Sequence, residues 1–419
     1  MTDELARMRE RLATRVVASH RIGSERVAAA LHAVPRHLFL PGQRPETAYR
    51  DDAIVTKRDE AGQPISSSSQ PAIMAIMLDQ LDLAPGHRVL EIGAGTGYNA
   101  ALMSHIVGPS GQVTSVDIDP ELVVSAREHL ARAGFGEVTV VCADGAGGDP
   151  EHAPYDRVIA TVGVSDLAPA WLEQAGPQAR IVVPFDVRGT QLSIAFERTD
   201  PGRWASRSLA PCGFMRMRGS LAGPERVVLL APGLSLLLPD GTPEVNARAV
   251  AGLLAGPPAL CPTGVQAAGS GAAQVFWGLG LWLAAREPRS CWLNEERPAG
   301  RRGAPGSRLT GAPLRGPGWH STVGLLDGDG LAVVTSTAVD RSGPLTLAAA
   351  GFGPRAADLA ADLAEHIQAW DEAGRPGIAG LHVDAYPRAS APGLADRPQR
   401  PGDALIMDRP GTWFAVYHD

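Results

Sequence analysis

Between residues 72 and 198 the apolar positions follow two alternating periods. AIMAIMLDQLDL (72–83) repeats at helical spacing, whereas RVLEIG (88–93) is a short continuous apolar run of the kind that fills a strand buried on both faces. The series continues with a helix over NAALMSHIVG (99–108), a strand over QVTSVDID (112–119), a helix over PELVVSAREHLARAG (120–134) and a strand over VTVVCADG (138–145). It closes with a strand over YDRVIATVGV (155–164), a helix over LAPAWLEQA (167–175), and strands over ARIVVPF (179–185) and QLSIAFER (191–198). Strands alternating with helices predict an α/β unit built on a parallel sheet.

Beyond residue 220 the pattern changes. RVVLLA (226–231), LSLLLP (234–239), TVGLLDGDGLAVVTST (322–337) and PLTLAAA (344–350) read as strands, with an Asp-Gly turn inside the third. GPRAADLAADLAEHIQAWDEAG (353–374) reads as a helix with Leu359, Leu363, Ile367 and Trp370 on one face, and GTWFAVYHD (411–419) as a last strand. Many of the 48 glycines and 35 prolines fall between 219 and 320, which places a domain change there. The expected division is 1–222, with N-terminal helices over 1–50, and a smaller α+β domain over 223–419.

Composition narrows the classes. A chain of 419 residues that is 44% hydrophobic can bury a large core. The start, MTDELARMRERL, is too charged for a secretory signal, and AAQVFWGLGLWLAA (272–285) is shorter than the roughly 20 residues of a membrane span, so a cytoplasmic protein without membrane contact is expected. A net charge of −7 gives no sign of nucleic-acid affinity. Cys142, Cys212, Cys261 and Cys291 lie far apart, without metal-ligand spacing, and read as core thiols; no metal is expected.

The candidate chemistry lies at strand ends. Gly93, Gly95 and Gly97 follow the first strand, where the chain turns sharply and its backbone can approach a ligand. Asp117, with Ile118 after it, ends the next strand, where a carboxylate can accept from ribose hydroxyls. Glu91 makes the motif acidic-x-Gly-x-Gly-x-Gly rather than the GxGxxG of a dehydrogenase. A cationic sulfonium has no pyrophosphate to hold and tolerates acidic surroundings, which favours S-adenosylmethionine over NAD. Asp144 and Gly145 close the third strand, where a carboxylate can take an adenine amino group; a surface turn is the competing reading.

VPRHLFLPG (34–42), ISSSSQP (65–71), VLEIGAGTGYNAAL (89–102), ADG (143–145), YDRVIATVGV and ARIVVPFD occur in the order and spacing of the protein L-isoaspartyl O-methyltransferases, which residues 8–220 resemble. CGFMRMRG (212–219) looks like that family's closing strand. The resemblance implies a Rossmann-like class I methyltransferase fold, S-adenosylmethionine as donor and S-adenosylhomocysteine as product. It also implies a serine ahead of Gln-Pro that holds the substrate carboxylate. That serine is Ser69 if Ser-Gln-Pro is aligned and Ser66 if Gln-x-Ile-Ser is aligned, with Ser68 between them a further candidate. The competing reading of Ser67 and Ser68 is a flexible polar loop or a helix cap. A carboxylate is ionised at neutral pH and needs no general base, so His37 and His105 are expected to pack or face solvent.

Enzymes of this family end near the equivalent of residue 220. The longer chain resembles extended homologues that accompany ribosomal peptide biosynthesis (graspetides, lasso peptides, lanthipeptides). The substrate implied is a specific aspartate of a macrocyclised precursor peptide, with aspartimide formation following the ester. The alternative is general isoaspartyl repair. Arg297, Arg301, Arg302, Arg308 and Arg315, between Trp292 and Trp319, form a candidate surface for an acidic peptide; a solvated loop is the competing reading.

Overall fold

The computed structural model describes residues 2–60, 62–200, 202–224, 226–267, 275–296, 314–316, 319–338, 345–390 and 404–418. Strands β1 (Ile54–Arg58) and β2 (Pro64–Ser68) form an antiparallel hairpin. The main sheet begins with β3 (Arg88–Ile92), β4 (Gln112–Asp117), β5 (Thr139–Cys142) and β6 (Tyr155–Ala160). It continues with β7 (Ala175–Val187), β8 (Thr190–Asp200) and β9 (Arg203–Pro211). β5, β4, β3, β6 and β7 lie side by side and parallel, then β8 and β9 add antiparallel. Because β4 lies on one side of β3 and β6 on the other, the direction of winding reverses at β3, and a crevice opens there at the carboxyl ends of the strands.

Local chemistry sets the covering helices. The helix Pro120–Ala133 starts at Asp119, whose carboxylate accepts from the Glu121 and Leu122 amides, with Pro120 at its first position. It buries Leu122, Val123, Ala126 and Leu130 and ends at Gly134 in the left-handed region. The helix Tyr98–Val107 is buried on almost every side, which accounts for its lack of a polar face.

The second sheet comprises β10 (Arg226–Ala231), β11 (Leu234–Leu238), β12 (Ala259–Ala267), β13 (Ser290–Glu296), β14 (Leu314–Gly316), β15 (Trp319–Asp327), β16 (Gly330–Ala338) and β17 (Leu345–Phe352). Its order is β10-β11-β13-β15-β16-β17-β12, with β14 on β15. The Asp-Gly turn joins β15 to β16, Asp327 facing Gly330 across a tight loop with Gly328 at φ +58°. The helix Ala356–Glu372 lays Leu359, Leu363, Ile367 and Trp370, all buried, onto this sheet.

The sheets do not divide at 222/223. After the second sheet the chain returns to the first: β18 (Leu381–Pro387) pairs with β9, β20 (Thr412–His418) with β18, and β19 (Leu405–Asp408) with β20, giving ten strands. Phe414 fills the core beside Phe185, with ring centroids 4.4 Å apart. Asp166 clasps the same hairpin, its carboxylate accepting from the amide of Gly411 at 2.6 Å.

Further expectations are corrected here. CGFMRMRG is not a strand of the sheet; β9 occupies that place. Residues 212–219 cross over the sheet end, held by a bridge in which Gly163 donates to the Met215 carbonyl and Met217 donates to that of Gly163. Cys142 is an exposed thiol, since it ends β5, the edge strand, whereas Cys212 and Cys291 are buried. Arg297, Arg301, Arg302 and Arg308 lie outside the described residues. No helix among the described residues is long and apolar enough to cross a membrane.

Candidate active site

A cavity of about 580 Å³ opens at the carboxyl ends of β3, β4 and β6, beneath the β1–β2 hairpin and the 211–218 crossing. Its floor is the glycine turn. Gly93 sits at φ +102°, and a Cβ there would lie 2.8 Å from Thr161 Oγ1, so only glycine fits. Thr161 closes the turn from β6, its hydroxyl donating to the Gly93 carbonyl at 2.7 Å. Gly95, at φ +52°, points its amide at Asp117 Oδ2, 3.0 Å away, and faces the Ser67 carbonyl of the hairpin.

Asp117 is thereby fixed from two sides, Oδ1 also accepting from the amide of Asp119 at 3.1 Å. The unused lone pairs of its carboxylate and the side chain of Ile118 border the cavity. Gly145 lines it too; a Cβ there would press on Ile92 Cγ2 at 2.6 Å.

Glu91 is fully buried at the cavity floor and accepts from Asn99 Nδ2 at 2.8 Å and Ser115 Oγ at 2.6 Å. Burial pushes its carboxyl up to about 7, and the donors from Ser115 and Asn99 only partly oppose that.

The serine run is strand rather than flexible loop. Ser66, Ser67 and Ser68 end β2, opposite Lys57, Val55 and Ile54 of β1. Ser66 and Ser68 are buried, as alternation along a strand requires, and Ser66 Oγ accepts from Thr56 Oγ1 at 3.1 Å. The guanidinium of buried Arg36 reaches the carbonyls of Asp52 and Ser68 behind the hairpin. Ser69 leaves the strand half-buried, just before Gln70 and the helix Pro71–Leu81, and all four hydroxyl-bearing residues line the cavity.

Some expected residues do other work. Asp144 does not line the cavity: its carboxylate accepts from the amides of Ala146 and Ser220, at 3.0 and 2.8 Å, and so anchors the 212–220 crossing. Gly97 caps the helix Tyr98–Val107 and packs on Leu130 rather than facing the cavity. His37 bonds Tyr49 at 2.7 Å, His105 is exposed, and neither lines the site. Asp149, Glu151 and His152 form a group whose donor atoms lie within 4.8 Å, away from the cavity, and Asp149 already holds Tyr155 and His152.

Other lining residues escaped the sequence reading. Thr161, the crossing residues Phe214 and Met215, and Trp277 from the second half all face the cavity. Lys57 of β1, outside the cavity lining, bonds Asp119 at 2.7 Å. Thr161 stands in YDRVIATVGV and Phe214 and Met215 in CGFMRMRG, motifs that carry the resemblance without marking these residues as site residues, and Trp277 stands in the apolar run 272–285, whose periodicity points to no site.

Residues 7–221 match the profile of the family described as protein-L-isoaspartate(D-aspartate) O-methyltransferase (PCMT). The chain is 40% identical over 214 residues to the protein-L-isoaspartate O-methyltransferase of Methanopyrus kandleri, spanning 51% of this chain and 92% of that relative. It is 39% identical over 225 residues to the enzyme of the same name from Hyperthermus butylicus, spanning 52% and 91%. A solved structure called protein-L-isoaspartate O-methyltransferase superposes with a TM-score of 0.49 at 24% identity, over 90% of this chain and 96% of that one.

Proposed function

The chain belongs to the protein-L-isoaspartate(D-aspartate) O-methyltransferase family, and we propose that its cavity methylates the carboxylate of an isoaspartyl residue within a polypeptide. The observation that carries this reading is the meeting of the Asp117-braced glycine turn with the serine hairpin across one cavity. As a member of that family it is an S-adenosylmethionine-dependent carboxyl O-methyltransferase.

The residues present suit that cofactor. The turn at Gly93 and Gly95 keeps side chains out of the crevice, and Asp117 retains lone pairs for ribose hydroxyls. When bound, S-adenosylmethionine supplies an electrophilic methyl on a sulfonium.

The chain's own contribution is position and dryness. In this reading the hydroxyl of Ser69 donates to the acceptor carboxylate, Ser66 ties the hairpin through Thr56, and the buried Ser68 hydroxyl, which has no partner, is left to face the cavity. No base is required, because a carboxylate of pKa near ~4 is already ionised. The 212–218 crossing and Trp277 line the cavity, and in this reading they shield the reacting groups from water once the peptide is bound.

A second reading is favoured by Trp277, which reaches the cavity from outside the family match. In it the acceptor is an aspartate of a macrocyclised precursor, and the ester loses methanol to an aspartimide. Mass spectrometry separates the two. On the first reading a linear isoaspartyl peptide gains one methylene and the matching aspartyl peptide does not. On the second, a cyclised precursor gains a methylene, then shows a net loss of one water, while linear peptides stay unchanged.

A further inference from the structure

Trp277 is carried on a single π-helical turn, Val275–Leu279, that runs directly into the helix Gly280–Arg286. Single turns of this kind recur at functional sites because they re-aim one side chain within a helix. The glycines around Trp277 are required by packing. A Cβ on Gly278 would lie 3.0 Å from the Trp370 ring and from the Pro376 carbonyl, and one on Gly280 would lie 2.6 Å from the Trp292 ring.

The helix behind it is tied to the first sheet. Leu281 is buried in the same core as Phe185 and Ile194, and Arg188 Nη1 donates to the Ala284 carbonyl at 2.8 Å. The indole itself packs half-buried against that core. Its place is therefore set by that core and by the close packing of the glycines beside it, and it lines the cavity.

Part of the cavity lining is apolar. Val55 and Ile65 of the hairpin, Phe214 and Met215 of the crossing, and Trp277 all belong to it. The cations of the crossing are turned to protein groups, Arg216 to the Gly223 carbonyl at 2.9 Å and Arg218 toward Asp119 at 3.7 Å. A charged side chain placed against these apolar residues would lose hydration and gain no partner from them. An apolar one would lose nothing and would gain contact with a rigid aromatic plate.

We infer that Trp277 is a specificity-determining residue of the acceptor site, selecting peptides in which an apolar side chain flanks the reacting carboxylate. The inference rests on the peptide-carboxylate reading above and deepens it. It assigns the second half of the chain a part in substrate choice and none in cofactor binding.

The test is calorimetric titration of the full chain, saturated with S-adenosylhomocysteine, using linear hexapeptides with Phe, Leu or Lys beside an isoaspartyl residue. The wild type should bind the Phe and Leu peptides about tenfold more tightly than the Lys peptide, a difference of about 1.4 kcal/mol. In Trp277→Ala, and in Trp277→Gln as a second variant should the first fail to fold, the preference should vanish while S-adenosylhomocysteine affinity stays within about twofold. A preference unchanged in the folded variant, or a tenfold loss of cofactor affinity, overturns the inference. Selective binding without methyl transfer would defeat the activity reading and leave this one standing; methyl transfer without selectivity would do the reverse.

Discussion

Glu91 is a carboxylate kept where water cannot reach it, and its hydrogen bonds do not fully offset that burial. Its folded pKa, about 7, lies above the ordinary value of 4.5, so the folded chain binds the proton more tightly than the unfolded one. The favourable contribution is complete below about 4.5 and is lost as pH rises through about 7. Glu91→Gln does not titrate. Urea unfolding should therefore find it gaining on the wild type between those pH values, by ~1–3 kcal/mol at pH 8, with the gap closing in acid. A constant gap would mean that Glu91 does not titrate there. At this scale much was legible: Gly93, Gly95 and Asp117 meet on one cavity because their spacing is set by backbone geometry alone. Asp144 and Gly97 lie off the cavity for a shared reason. Each stands in the motif, yet each is engaged by a distant segment, the Gly219–Ser220 stretch and Leu130, which no local pattern reveals.

Among the elements, the last strand shows where sequence patterns stop. GTWFAVYHD reads as a strand, but nothing in it says which sheet it joins. Its partners are β18 and β19, neither of them foreseen, and its buried Phe414 sits between Phe185 and Phe196, ring centroids 4.4 and 6.5 Å away. Phe414→Ala should accordingly cost about 3–5 kcal/mol of stability, read as a fall in the urea midpoint, and should destabilise the catalytic sheet itself. A loss confined to local fraying of 404–418, seen by hydrogen exchange, would place that hairpin outside the core. The serine hairpin was missed for a related reason: serine has weak strand preference, and its pairing with Ile54–Arg58 is what makes it a strand. CGFMRMRG was placed by resemblance alone, and β9 fills the sheet position beside β8 that the resemblance gave it.

For the whole molecule, the chain leaves the first sheet after residue 211, builds a second, and returns to complete the first. Composition located the departure near residue 222 but could not show the return, since long-range strand pairing leaves no mark on local glycine and proline content. One consequence is that the second sheet is inserted within the catalytic architecture, and this is how Trp277 comes to share a cavity with Ser69 and Asp117. The account stands on that cavity being where a methyl group meets a peptide carboxylate. The most direct measurement uses S-adenosylmethionine labelled in its methyl group, an isoaspartyl peptide, and collection of the methanol that alkali releases from a carboxyl ester. The wild type should yield alkali-labile methanol in proportion to peptide. Ser69→Ala should lower the rate at least about tenfold with S-adenosylhomocysteine affinity unchanged, and Asp117→Ala should weaken that affinity by ~1–3 kcal/mol. Label that stays on the peptide through alkali, or a Ser69→Ala rate equal to the wild type's, would contradict the account.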